Sequence, residues 1–322
     1  MARRSGRKPK KMMTAEDTHR FIRVRVSHDG SGTGNVDHHI LDIGRVMSQM
    51  NRRLYRQGGT YHIANISIRD TAGDIDVTFS GLPTTWPVQA AWKQAFQLWK
   101  KQRASVQDVS NISSKWSDFK VHLSNASRSY DVLNFNDSEG DALGTGDWNY
   151  SKMYLDEDGD NTDDFELHMM GANNGSLPLG TCVSASLLAN FEDVLQIPQS
   201  EPDVPANANQ SLFVLMARAG ADTELNKDLV DAMEVDNDQP PYSQTLVPGA
   251  KTSGGDPWVY RETSIQAAEQ PAVMIPGFAV PLGLVDIKTV STRGTSSSPV
   301  QIELVIELVP GSYKGVQYES WA

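Results

Sequence analysis

Strict alternation of apolar and polar side chains is the feature that most constrains the fold of this chain. It recurs in the segments 22–26, 61–69, 75–80 and 300–309. Because successive side chains of a strand point to opposite faces of a sheet, each segment predicts a half-buried β-strand. Further strands are predicted at 119–123, 165–169, 212–216 and 285–288 from short apolar runs.

Helical periodicity is confined to three segments. Residues 36–57 place Ile40, Ile43 and Met47 on one side at 100° per residue, and we expect Gly58 and Gly59 to end that helix. A second helix is predicted over 87–104, where Pro87 occupies a favourable first-turn position. A short third helix is predicted over 223–234.

About eight to ten strands with only three or four helices, joined by long connections, predict a mainly β protein. A single jelly-roll β-sandwich with inserted helices fits this pattern best, since the jelly roll closes eight strands with long crossovers. We expect a basic N-terminal arm over residues 1–20 and one sandwich domain over 21–322, with the helical insertions near 36–57, 87–104 and 223–234.

The charge of the chain is divided unevenly. Its net charge is −11, yet the first 25 residues carry nine Lys/Arg against Glu16 and Asp17, a net +7, which leaves −18 for the remainder. Dense Lys/Arg neutralises phosphates without reading base sequence, so the arm predicts a polyanion partner. A solubilising or nuclear-targeting tail is the alternative. The candidate phosphate ligands are Arg3, Arg4, Arg7, Lys8, Lys10 and Lys11.

Three further arginines, Arg45, Arg52 and Arg56, fall within an arc of about 40° on the polar side of the predicted 36–57 helix. Such a stripe is often only the solvated face of a helix. The alternative hypothesis is a second phosphate-facing surface beside the arm.

An acidic stretch offers a weak metal candidate. Residues 131–170 hold twelve Asp/Glu and one Lys, and Asp156, Asp158 and Asp160 share the spacing of the first ligands of an EF-hand loop. The sharp-turn glycine and the final glutamate of that loop are missing, so a solvated acidic loop competes with a Ca²⁺ site. No other cofactor is expected.

The remaining sequence features argue against several classes of protein. The chain has one cysteine, Cys182, and therefore no internal disulfide framework, which suits a reducing compartment. No secretory signal, membrane span or catalytic motif is found, and we expect neither membrane association nor an enzyme.

Three local phrases then carry a resemblance. The basic start, the strand-rich body and the stretches 85–96 (TWPVQAAWKQAF), 234–242 (EVDNDQPPY) and 275–284 (IPGFAVPLGL) are similar to capsid proteins of small circular Rep-encoding single-stranded DNA (CRESS-DNA) viruses. These phrases cover about 30 of the 322 residues. The arm is shorter and less arginine-dense than in circovirus- or geminivirus-like capsids.

The resemblance implies a jelly-roll coat protein that forms an icosahedral shell. Symmetric copies, on the order of sixty or more, would bury apolar patches against one another, and the arms would bind packaged single-stranded DNA. The implied location is the virion, assembled in the host cytoplasm or nucleus, with a host receptor that the sequence leaves unknown.

Three alternatives stay open. Loop aromatics such as Trp148, Tyr150, Trp258 and Tyr260 would suit a carbohydrate- or ligand-binding lectin of the same architecture. A cupin-like metal enzyme would need converging histidine ligands, which the scattered histidines do not predict. An RNA-virus jelly-roll coat protein remains equally compatible, because phosphate contacts do not distinguish DNA from RNA.

Overall fold

Strands dominate the part of the chain that the computed structural model describes, which comprises residues 18–28, 34–70, 74–110, 116–137, 139, 141–144, 146–156, 162–175, 182–195, 257–265, 272–292 and 300–322. The strands are β1 (Phe21–His28), β2 (Val36–Asp42), β3 (Gly59–Asp70), β4 (Ile75–Gly81), β5 (His122–Ser124), β6 (Asp131–Val132), β7 (Lys152–Asp156), β8 (Thr162–Met170), β9 (Ser184–Ser186), β10 (Trp258–Ile265), β11 (Ala272–Pro276), β12 (Ala279–Pro281), β13 (Leu284–Ser291), β14 (Val300–Leu308), β15 (Pro310–Gly311), β16 (Gly315–Val316) and β17 (Tyr318–Ser320). The helices are α1 (Ile43–Asn51), α2 (Trp86–Ser110) and α3 (Leu187–Leu195), with a 3₁₀ turn at Ala126–Ser129. The protein is therefore mainly β.

The first sheet has the order β1-β14-β3-β11, and the short strands β12 and β17 also pair with β3. All of these pairings are antiparallel. The register places Val24 opposite Leu304, and Leu304 in turn opposite Ile68. Apolar side chains thus meet across three strands, which fixes the buried face of the sheet.

The second sheet has the order β10-β4-β13-β2-β6 and is antiparallel except for the short β6, which runs parallel to β2. Its inner face and that of the first sheet enclose one continuous apolar cluster, which we call the first core. Ile66, Phe79, Ile287 and Ile306 are fully buried there. The two sheets therefore pack as a β-sandwich.

A long insertion between β4 and β10 covers the outer face of the second sheet. The described part of this insertion includes α2, α3 and a small sheet in which β8 pairs with β5, β7 and β9. Its apolar side chains form a second core with Ile40 and Leu284 from the second sheet. Leu41 and Val285, the chain neighbours of these two residues, face the first core. The sheet is thus buried on both faces at this end.

The predicted helix over 36–57 is wrong in its extent. Residues 36–42 form β2, which pairs with β13 over seven residues, and the helix α1 begins only after Asp42. Asp42 accepts a hydrogen bond from the backbone N–H of Arg45 at 3.1 Å, as an N-cap does. The helix ends with Arg52 in the left-handed region at φ 50°, and Gly58 instead packs against the Trp92 ring.

The other predicted elements divide into three groups. The helix predicted at 87–104 is confirmed as α2, which continues to Ser110, and the strands at 22–26, 61–69, 75–80, 165–169, 285–288 and 300–309 are confirmed with ends that differ from the prediction by up to three residues. At 119–123 only the last two residues belong to a strand, β5. The predicted elements at 212–216 and 223–234 lie outside the described residues.

Candidate functional site

A groove of about 1140 Å³ opens between α1, the second half of α2 and the segments 116–120 and 146–154. It forms because α1 buries Ile43 and Met47 in the first core, which leaves Arg45 and Gln49 on its opposite side. In the same way α2 buries Trp92 in the second core and presents later turns to the groove. The groove therefore follows the boundary between the two cores.

The lining of the groove is cationic in a chain whose net charge is −11. Among the residues that the structure describes, two acidic residues, Asp118 and Asp147, line it together with six basic residues, which are Arg45, Arg52, Arg53, Arg103, Lys120 and Lys152. Within the described ranges none of the four arginines lies in an ion pair. Lys152, in contrast, pairs with Asp164 at 2.5 Å. The arginines thus leave a local excess of positive charge.

The structure separates the three arginines of the predicted stripe. Arg45 lies on α1 and donates a hydrogen bond to Asn134 Oδ1 at 2.9 Å, while Arg52 is the exposed residue that ends α1. Both line the groove. Arg56 lies in the loop beyond α1, 3.9 Å from Asp118 Oδ1, and does not line it. The prediction of a single helical stripe is therefore wrong, although two of the three arginines line the same groove.

Aromatic rings are interleaved with these cations. Trp99, Trp116, Trp148, Tyr150 and Tyr154 all line the groove. Trp116 and Tyr154 are 55% and 52% exposed, so both residues reach the surface of the groove. Arg103 lies over the Trp99 ring at 5.1 Å, and Lys120 lies over the Trp148 ring at 4.3 Å. These are cation–π distances, and each one fixes a charge beside a ring.

The Trp148 ring is held by a buried carboxylate. Its indole Nε1 donates a hydrogen bond of 2.9 Å to Asp42 Oδ2, the same residue that caps α1. Complete burial raises the pKa of Asp42, and the two hydrogen bonds it accepts oppose that shift. Burial also lowers the pKa of Lys120, against the attraction of Asp118 and Asp42. Asp42 thus links the start of α1 to the groove wall.

The root of the basic arm lies beside the groove. The backbone N–H of His19 donates to Asn51 Oδ1 at 3.0 Å, and Asn51 Nδ2 donates to the His19 carbonyl at 3.1 Å. Asn51 is the last residue of α1, directly before the groove residues Arg52 and Arg53. Arg3, Arg4, Arg7, Lys8, Lys10 and Lys11 themselves lie outside the described residues.

A histidine cluster lies behind the groove. His122 stacks on Tyr150 with ring centroids 3.8 Å apart, and its Nε2 is 3.4 Å from Glu166. Its strand neighbour His168 is fully buried, with Nδ1 2.6 Å from Ser184 Oγ and Nε2 3.1 Å from the Ala172 carbonyl oxygen. Burial lowers the pKa of both histidines from 6.5 to about 4.

Of the acidic residues considered for a metal site, Asp156 does not line the groove. Asp158 and Asp160 are outside the described residues, and Asp156 ends β7. Among the residues that the structure describes, no group of three or more His, Cys, Asp and Glu is placed to hold a metal ion. The described helices also include none with the length and apolar character needed to cross a membrane.

Sequence analysis missed most of the groove. Arg53, Arg103, Lys120, Trp116 and Tyr154 come from four chain segments, and no local spacing connects them. The only available signals were the aromatics around 148–154 and the basic residues late in α2. Of the aromatics considered for sugar stacking, Tyr260 donates to the Leu82 carbonyl at 2.6 Å and burial raises its pKa.

Comparison with known proteins adds no relative to this description. No family model, no curated protein and no solved structure matches the chain. Any function has to be inferred from the residues and the geometry of the chain itself.

Proposed function

We propose that this chain is a viral coat protein of the CRESS-DNA type, which assembles into an icosahedral shell and packages single-stranded DNA. The shell domain would be a single jelly roll, and the arm over residues 1–20 would bind the genome. Its role would be assembly and binding, without catalytic turnover. Its site of action would be the virion, and its partners would be further copies of itself and the nucleic acid.

The observation that carries the proposal is the winding of the eight longest sandwich strands, β1, β2, β3, β4, β10, β11, β13 and β14. Numbered one to eight along the chain, they pair first with eighth, second with seventh, third with sixth, and fourth with fifth. An eight-stranded antiparallel ribbon rolled into two sheets has this pairing, and it is the plan of a jelly roll.

The free edges of the two sheets favour association between copies. β11 and β10 are the last strands of the first and second sheet in the described chain. Met274 on β11 is 72% exposed, and Trp258 and Val259 on β10 are 50% and 53% exposed. Unpaired strand edges with exposed apolar side chains are surfaces that protein contacts cover. A shell offers such contacts in every copy.

The cationic groove beside the arm root supports the nucleic-acid part of the proposal. A positive surface on a body that is otherwise acidic attracts a polyanion locally and leaves the remaining surface unsuited to one. A sugar-binding lectin would use the same exposed rings but would gain nothing from four arginines that, among the described residues, lie in no ion pair.

Electron microscopy and the nucleic-acid content of the purified protein test the proposal. The full chain should form closed particles with an absorbance ratio at 260 and 280 nm that reports packaged nucleic acid. Deleting residues 2–11 removes six cations, and should lower the salt dependence of single-stranded DNA binding by a slope of about 4, at 0.7 per phosphate contact. That variant should also lose packaging.

A matched control removes charge elsewhere. Changing the exposed pair Lys100 and Lys101 on α2 to Gln should leave packaging unchanged. A full chain that stays monomeric at high concentration, or a deletion variant that packages DNA normally, would contradict the proposal.

A further inference from the structure

We infer that the groove binds an unpaired stretch of nucleic acid, with arginines on the phosphates and aromatic rings stacked on the bases. This inference rests on the proposed function and names the form of nucleic acid that the body of the protein, as distinct from its arm, selects.

Four arginines give the groove its positive charge. Arg52 and Arg53 are adjacent, exposed and without an ion pair among the described residues, and Arg45 and Arg103 extend the positive lining to α1 and α2. Guanidinium groups bind the phosphates of a nucleic-acid backbone through charge-assisted hydrogen bonds.

Aromatic rings line the groove beside these arginines. Trp116 and Tyr154 are each more than half exposed within the groove. The side-chain amide of Gln102 donates to the Tyr154 carbonyl at 2.7 Å, and this bond holds β7 against α2. Base–aromatic stacking stabilises single-strand complexes and tolerates any base, because every base has a π face. Cations and rings in alternation are the arrangement that such sites use.

The aromatic rings of the groove favour unpaired nucleic acid over a duplex. In a double helix the base faces are stacked on one another and only the base edges reach the grooves. Rings set inside a concave surface therefore make no stacking contact with the bases of a duplex. Unpaired bases, in contrast, turn outward and stack on such rings. The phosphate contacts alone would not discriminate between the two forms.

Fluorescence anisotropy with the full chain tests the ring contacts. The probes are a labelled oligothymidine and a labelled hairpin duplex of equal phosphate number, whose closing loop is a linker without bases. Trp116→Leu should weaken oligothymidine binding roughly tenfold and leave hairpin binding unchanged, and Trp116→Phe should restore most of the loss. The matched control is Trp86→Leu, since Trp86 is 58% exposed at the start of α2 and lies outside the groove.

A second pair of variants tests the charge contacts independently of the rings. Arg52→Gln with Arg53→Gln should reduce the salt slope of oligothymidine binding by about 1.4, at 0.7 per contact. Lys100→Gln with Lys101→Gln removes the same charge from the exposed side of α2 and should leave the slope unchanged.

The outcomes separate this inference from the proposed function. Equal affinity for hairpin and oligothymidine, equal losses for both probes in Trp116→Leu, or salt-independent binding of a neutral glycan in the groove would overturn the inference, whether or not particles form. Selective loss of oligothymidine binding in a chain that never forms particles would support the groove and refute the coat-protein function.

Discussion

Acid should destabilise this protein through His168, and the size of the effect follows from its surroundings. The side chain is fully buried beside His122 and Arg128, and both of these groups act with burial to lower its pKa from 6.5 to about 4. The geometry suits the neutral ring, in which Nε2–H donates to the Ala172 carbonyl and Nδ1 accepts from the Ser184 hydroxyl.

The sign of the pH effect is set by which state binds the proton first. As pH falls from 7, the unfolded chain is protonated near 6.5, whereas the folded chain resists protonation until about pH 4. Stability is therefore full above pH 6.5 and is lost as pH falls towards 4. Between pH 7 and pH 5 this linkage removes about 2 kcal/mol from the free energy of unfolding.

Urea unfolding followed by tryptophan fluorescence at pH 7 and pH 5 measures this loss. The side-chain amide of His168→Gln can still donate to the Ala172 carbonyl, so this variant should fold. Between pH 7 and pH 5 its free energy of unfolding should fall by about 2 kcal/mol less than that of the wild type. His19→Gln, at an exposed histidine, is the control and should behave as the wild type does. Identical losses in the wild type and His168→Gln would refute the reasoning, because titrating groups that do not interact with His168 cancel in that difference.

Two further substitutions test the packing. Trp92→Ala should lower the free energy of unfolding by about 3–5 kcal/mol in urea titration, because Trp92 is 2% exposed in the second core; Leu98→Ala on the exposed side of α2 should change it by less than about 0.5 kcal/mol. Gly277→Ala should lower the free energy of unfolding by about 1–3 kcal/mol, measured by thermal unfolding, because the added methyl group would overlap the Ile63 carbonyl oxygen. In the control Gly144→Ala the methyl group meets no atom within 4 Å, so the free energy of unfolding should not change.

The strands of the sandwich were predictable because one face of each is buried and the other is polar. Ile22, Val24 and Val26 on β1 are buried, and β14 repeats the pattern. The helix α2 was predictable for a similar reason, since its apolar side has a helical period. Local alternation of this kind carries the whole signal where only one face is covered.

The same logic explains the error at residues 36–57. β2 is covered on both faces near its end, so Ile40, Leu41 and Asp42 are all buried and the period-2 signal is lost. Ile40 then falls by chance at a helical spacing from Ile43 and Met47, although Ile40 belongs to the second core and the other two belong to the first. The groove was unpredictable because its lining is assembled only by the packing of the insertion on α1.

The hydrogen-bonded root of the arm at Asn51 has a consequence for affinity. Lys11, the nearest cation of the arm's basic cluster, is seven residues before Thr18, so at most about 25 Å of extended chain separates them. On the proposed function, the groove and the arm would be two binding elements joined by a short tether, and the second contact would form at a millimolar effective concentration. A strand held in the groove would then recruit the arm of the same subunit before that of a neighbour.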